Sequence, residues 1–324
     1  MKAKKIKVIK YSFAVLIIIF LSRTIWQGRL EIANIINQIS YRLITALILL
    51  QISTILLLAF QWKFLFKFTG QKKAKFSDII NINLAASFIE SITPSAKLGG
   101  ESAKVYLYNK ITGIEVSEFI PYIAVQKLTT FIPFLIFAFI LFISNKRFLV
   151  QHIDFNLNIN IIFYSLFFLF LVFMICFSIS NNLKLKINTF KDKSKNIIAN
   201  TFNLCNFKEL LYLIIIAALF WLLYPVKTYL IADYLAYDVS PILIITATFL
   251  AYLIALLPIS PGGLGSFEAV MALILTQAEI SYAEGLTIAL ILRFATFWFP
   301  LFLSTLASIN ISRYLFFNKK EFLI

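Results

Sequence analysis

Pro261-Gly262-Gly263-Leu264-Gly265-Ser266-Phe267-Glu268 interrupts a long apolar stretch. Proline removes a backbone donor and glycine costs about 1 kcal/mol in a helix interior, so the segment ends one helix and starts another. A second interruption stands 167 residues earlier, at Pro94-Ser95-Ala96-Lys97-Leu98-Gly99-Gly100-Glu101. In each, the proline precedes its glutamate by seven residues, and five of the nine glycines fall within these two segments. Downstream, Lys127 answers Arg293 and Pro133 answers Pro300, so both proline-to-proline spans are 39 residues. Pro258 adds a further break just ahead of the second segment. Helices interrupted at matching places in two halves point to a transporter's binding site.

The surroundings of both breaks are those of a bilayer. The 324 residues are 60% hydrophobic with a mean hydropathy of +0.88, against about 45–50% apolar content in soluble domains. A soluble globular protein is excluded. About 20 apolar residues cross the hydrocarbon layer, and stretches of roughly that length recur at Tyr11–Trp26, Tyr41–Phe66, Phe119–Ile143, Ile161–Ile179, Leu210–Ala232 and Glu284–Ile309. Two shorter stretches, Ile79–Thr93 and Pro241–Leu257, run straight into the breaks. The expected architecture is an all-α polytopic membrane protein. It has six transmembrane helices plus two re-entrant helical hairpins, arranged as an inverted repeat. The chain is expected to form one membrane domain, 1–324, from repeats of about 8–145 and 160–312.

The net charge of +15 does not point to nucleic acid, because of where it sits. Of the 30 Lys and Arg, 22 fall in residues 1–10, 63–78, 97–118, 181–208 and 311–324. These segments share one side if the helices alternate and each hairpin returns to its side of entry. The opposite loops carry Asp233, Asp238, Glu279 and Glu284. This positive-inside bias predicts a multi-pass protein of the cell (inner) membrane with both termini cytoplasmic. The basic loops would meet anionic lipid headgroups. The basic start followed by an apolar run resembles a signal peptide, yet no small-residue cleavage site follows, so a retained first helix is expected. Cys176 and Cys205 fall in different environments and predict no disulfide. No metal-ligand cluster, nucleophile elbow or nucleotide loop appears, so neither metal nor cofactor is expected.

Charge inside the spans carries the functional signal. Lys127 and Arg293 lie about nine residues into their helices, ~13 Å at 1.5 Å per residue. A lone charge at that depth costs at least ~2.5–3.5 kcal/mol, so each needs a partner. Glu101 and Glu268 follow the glycines at the start of each returning half-helix. A carboxylate there can cap its own helix start or answer a cation. Two acids and two bases at similar depth predict one polar cavity between the halves, with the pairing left open. Arg293 offers a bidentate fork suited to phosphate. Glu90 precedes the first break and has no acidic counterpart, Leu257 standing in its place. Glu101, Lys127, Glu268, Arg293 and Glu90 are therefore the candidate substrate-binding residues. Pro94, Gly99, Gly100, Pro258, Pro261, Gly262, Gly263 and Gly265 are the candidate hairpin turns. Arg23, Lys63 and Lys227 stand near helix ends and are expected to snorkel to the interface.

The stretch Leu257-Pro258 through Glu268-Ala269, with Leu292-Arg293 and Pro300, resembles the membrane region of lysylphosphatidylglycerol synthases, also called flippase-like domain proteins. Thr93-Pro94 through Glu101 and Lys104 is similar to that family's earlier motif. The resemblance covers roughly residues 8–315. It implies transfer of an aminoacylated or glycosylated phospholipid between leaflets, with Glu101, Glu268, Arg293 and the turns as site candidates. The chain departs from the family at Gln126-Lys127, where an acid followed by Arg is usual, and at Lys104, where Arg is usual. The soluble aminoacyl-transferring domain is absent, so a separate lipid-modifying synthase is an expected partner. The expected function is that of a lipid flippase or transporter and not an enzyme. The alternatives are a membrane-embedded transferase acting on a lipid-linked substrate and a non-catalytic partner of a synthase.

Overall fold

The computed structural model describes residues 39–68, 74–92, 98–113, 115–144, 205–256 and 261–321. The expected spans Tyr11–Trp26 and Ile161–Ile179, and the turn residues Pro94 and Pro258, lie outside these residues. The described residues form helices and no strand. In chain order the helices are α1 (Tyr41–Phe68), α2 (Phe76–Ile92), α3 (Leu98–Thr112), α4 (Val116–Ser144) and α5 (Phe207–Tyr234). They continue with α6 (Pro241–Ala255), α7 (Ser266–Leu275), α8 (Tyr282–Arg293) and α9 (Phe299–Glu321). Turns of 3-10 helix at Pro261–Gly263 and Thr276–Ala278 flank α7, and a π turn at Phe294–Trp298 joins α8 to α9.

Four segments are long and apolar enough to cross a bilayer: Tyr41–Phe68, Phe119–Phe137, Phe207–Tyr234 and Tyr282–Arg313. These coincide with four of the six expected spans, and the chain is a multi-pass membrane protein. The helices α2, α3, α6 and α7 have only 17, 15, 15 and 10 residues, or ~15–26 Å at 1.5 Å per residue. None of them reaches across ~30 Å of hydrocarbon alone. Instead α2 packs on α3 and α6 packs on α7, so two short pairs sit among four long helices.

The helix ends follow local chemistry. Asn206 and Glu209 form a capping box at the start of α5, and Ser281 and Glu284 form another at the start of α8. Such reciprocal bonds satisfy donors that no helical carbonyl can reach. Ser240 caps α6 with Pro241 at its first position, where the missing N–H costs nothing. The π turn precedes Pro300, whose ring would clash with the carbonyl four residues back in a regular α-helix. The Phe299 N–H reaches instead to Phe294 O.

α1 and α5 run antiparallel along one another. Ser40 N–H bonds the Tyr234 hydroxyl, Lys227 meets Gln51 and Thr54, and the Gln61 amide donates to Leu213 O. Two cores form at opposite ends of this pair. One joins Trp62, Leu65 and Phe66 of α1 with Ile79, Tyr108, Phe119 and, from the start of α5, Leu213. The other joins Ile231 and Ala232 of α5 with Ala247, Phe267, Ile288 and, from the start of α1, Leu43 and Leu47. Each long helix thus begins in the other's core. The remaining packing is also reciprocal, since α2 lies against α9 while α6 lies against α4.

Candidate functional site

Between the two cores lies a cavity of about 360 Å³ to which every described helix except α7 contributes. α2 lines it with Asn83, Ser87 and Glu90, α3 with Glu101 and Lys104, and α4 with Gln126, Lys127 and Thr130. Trp221, Tyr224 and Tyr252 line it as well, with Gly262, Arg293, Thr296 and Phe297. The chamber therefore combines charged and aromatic side chains in its lining. Its volume falls in the range of about 300–1,000 Å³ in which small-molecule sites occur.

The two glutamate–cation pairs form within each half. Lys127 Nζ lies 2.6 Å from Glu101 Oε1, and Lys104 Nζ lies 3.3 Å from the same oxygen. Arg293 Nε lies 3.0 Å from Glu268 Oε1. The pairing that the sequence left open is thus Glu101 with Lys127 and Glu268 with Arg293.

The second pair is sealed. Both of its side chains are 5% exposed. Glu268 Oε2 accepts from Gly265 N–H at 2.7 Å, so the carboxylate caps its own helix while holding Arg293. Arg293 Nη2 donates to Gly262 O at 2.6 Å, and the guanidinium packs against the Phe267 and Phe297 rings. The fork expected to meet a phosphate is therefore spent largely inside the protein. Arg293 lines the cavity, whereas Glu268 stands behind it and is not part of the wall.

The turn between α6 and α7 makes this possible through two glycines. Gly262 has φ 61°, and a Cβ there would come within 2.3 Å of the Phe297 ring. Gly263 has φ 69°, and a Cβ there would sit 2.5 Å from Ala255 Cβ and 2.8 Å from its Cα. Both conditions favour glycine alone.

The first pair is open by comparison. The Lys127 side chain is 43% exposed and projects into the chamber. Lys104 is buried over the Trp62 ring. Glu90 borders the cavity where Gly100 brings α3 against α2: a Cβ on Gly100 would meet Glu90 Cβ at 2.8 Å. Gly99 and Gly100 fall in the first turn of α3, just past the break. Of the five candidate binding residues, Glu90, Glu101, Lys127 and Arg293 face one cavity, and Glu268 positions Arg293.

Sequence reasoning misplaced Lys227. It does not snorkel; it is fully buried between α5 and α1. Its ammonium donates to Gln51 Oε1 and, at 3.0 Å, to Thr54 Oγ1, and it lies over the Tyr224 ring. The reason is helical phase: Lys227 falls on the face of α5 turned to α1, where two polar side chains receive it. Gln51→Leu, which removes an acceptor from a buried ammonium, should lose about 1–3 kcal/mol, and Lys227→Met, which strands only a neutral amide oxygen, should lose less. Thermal unfolding in detergent measures both. Lys104 and the aromatic wall were also missed as cavity residues. Lys104 carried a usable signal, standing three residues after Glu101 where helical neighbours meet. The aromatic residues carried none among 35 Phe, 14 Tyr and 4 Trp.

A buried amide network braces the long helices beside the chamber. Gln126 Nε2 donates to Gln61 Oε1 at 3.1 Å and to Thr130 Oγ1 at 3.0 Å, Gln61 donates to Thr129 Oγ1, and Trp221 Nε1 donates to Thr130 O. Among the described residues no group of three metal-ligating side chains occurs.

Residues 7–304 match the family model described as the lysylphosphatidylglycerol synthase TM region. A UPF0104 membrane protein of Methanocaldococcus jannaschii is 25% identical over 333 residues, spanning 95% of this chain and 97% of its own length. A UPF0104 membrane protein of Methanothermobacter thermautotrophicus is 25% identical over 245 residues, spanning 66% of this chain and 70% of its own. No solved structure matches the chain.

Proposed function

Since this chain belongs to the lysylphosphatidylglycerol synthase TM region family, we propose that it is a lipid flippase or transporter. Its cargo is a phosphate-containing lipid, aminoacylated or glycosylated, whose headgroup crosses through the cavity between the two cores. The observation that carries this reading is the cavity itself. Three cations and two carboxylates (Lys104, Lys127, Arg293, Glu90 and Glu101) border one chamber in a membrane protein. Charges inside a bilayer are costly, and they mark substrate paths when they face a shared cavity.

The repeat reading explains how such a chamber would serve both leaflets. The antiparallel α1 and α5, and the reciprocal packing of α2 on α9 and α6 on α4, support an inverted repeat with a re-entrant hairpin in each half. Repeats of that kind rock about a fixed central site. The basic loops orient the chain with both termini in the cytoplasm of an inner-membrane setting. A separate synthase would supply the modified lipid.

Vesicles containing the purified protein and a phosphatidylglycerol with a chemically quenchable fluorescent headgroup test the reading. The quencher should reach inner-leaflet probe faster than in protein-free vesicles. Lys127→Ala should slow that exchange by about tenfold or more, because a charge-assisted hydrogen bond is worth about 1.5–3 kcal/mol. Exchange no faster than in empty vesicles, for this and for aminoacylated probes, would end the proposal.

A further inference from the structure

The two ion pairs differ in a way that assigns them different work. Glu268 spends both oxygens, one on Arg293 and one on the backbone that starts α7. Releasing it would dismantle a helix start. Glu101 spends one oxygen on two lysines, and its Oε2 is buried without a hydrogen-bond partner among the described residues. The second pair balances one cation with one acid. The first sets two cations against Glu101, and the Glu90 carboxylate acts on Lys104 as well. Lys104 therefore feels a second carboxylate besides Glu101. Lys127 is the exposed member, standing in the cavity with ammonium donors to spare.

We propose that Glu101 is an exchangeable counter-ion: it occupies Lys127 when the cavity is empty and yields it to the phosphate of an arriving ligand. This rests on the transport reading and deepens it by naming where the phosphate binds and what it displaces. Glu101 then falls back on Lys104, three residues along the same helix. No buried charge is left alone at any stage, which matters because an orphaned one is strongly destabilising. Lysine suits this role better than arginine. A point charge with rotatable donors trades one oxygen for another without demanding a fixed planar geometry. Arg293, clamped at two nitrogens, stays in place as a fixed cationic wall. The Gln126 Oε1 atom, buried beside the cavity without a donor among the described residues, offers an acceptor for a hydroxyl or amine on the same headgroup.

Calorimetric titration of the full chain in maltoside micelles tests the exchange. Dioctanoyl phosphatidylglycerol and inorganic phosphate serve as separate probes. Glu101→Gln, which removes the competing charge, should bind the phosphate probe about tenfold tighter than the parent. The gain should vanish when Lys127→Gln is added. A gain with the short-chain lipid identifies a headgroup phosphate; a gain confined to inorganic phosphate supports the same exchange with a free anion. Melting curves check that each variant folds. If Glu101→Gln does not fold, Glu101→Asp, whose shorter arm loosens the pair, should move affinity the same way. Unchanged or weaker binding, or a gain that survives loss of Lys127, overturns the proposal. A parent that exchanges lipid between leaflets while Glu101→Gln gains no affinity overturns the exchange alone. A Lys127-dependent gain in a parent with no leaflet exchange overturns the transport reading alone.

Discussion

Arg293→Ala should be the most damaging single substitution in the chain, lowering stability by about 3–5 kcal/mol and abolishing any activity that needs the α6–α7 pair. The magnitude follows from what is left behind. Glu268 is 5% exposed, and without Arg293 its charge would have only the Gly265 N–H for company. Gly262 O would lose its donor, and the Phe267 and Phe297 rings would lose the cation between them. Arg293→Lys should recover only part of the loss, since one ammonium cannot reproduce both the Nε bond to Glu268 and the Nη2 bond to Gly262. Thermal unfolding in detergent, read alongside Glu101→Gln, gives the comparison. A loss at Arg293 no larger than that at Glu101 would contradict the picture of one sealed pair and one open pair.

The second large effect is expected at the paired glycines. Gly263→Ala should cost about 2–5 kcal/mol, combining a left-handed backbone penalty of about 1–2 with overpacking of about 1–3. Its added methyl would press on the Cα and Cβ of Ala255, neither of which can swing aside. Gly262→Ala faces the same backbone penalty but a different neighbour, the ring of Phe297. A second substitution, Phe297→Leu, should therefore rescue part of the Gly262→Ala loss and none of the Gly263→Ala loss. Equal rescue of both would mean that backbone strain alone governs the turn.

Much of this was legible because bilayer chemistry leaves a plain trace. Four of the expected spans stand where apolar length placed them, and the second break falls at Pro261–Gly263, where proline and glycine announced it. The partnership of each glutamate was hidden. Glu101 and Lys127 stand 26 residues apart, Glu268 and Arg293 stand 25 apart, and no local periodicity links residues so distant. Whether Glu268 lines the chamber or stands behind it depends on which way a carboxylate turns at a helix start. That is settled by the Gly265 N–H, a backbone group the sequence does not display. Lys227 misled for a related reason. Its distance from the end of α5 fits a snorkelling side chain, and only the facing residues of α1, 173 and 176 positions earlier, decide otherwise.

The widened turn at Phe294–Trp298 accounts for a difference in spacing between the two base–proline pairs. Pro133 follows Lys127 by six residues, whereas Pro300 follows Arg293 by seven. A π turn encloses one residue more than an α turn, since its bond reaches five positions along instead of four. The segment from Arg293 to Pro300 can thus run one residue longer without rotating the guanidinium about 100° away from the glutamate it must meet. Deleting one residue from that bulge would make the two spacings equal. It would also force a choice between the register of the base and that of the proline, so the shorter chain should be the less stable one.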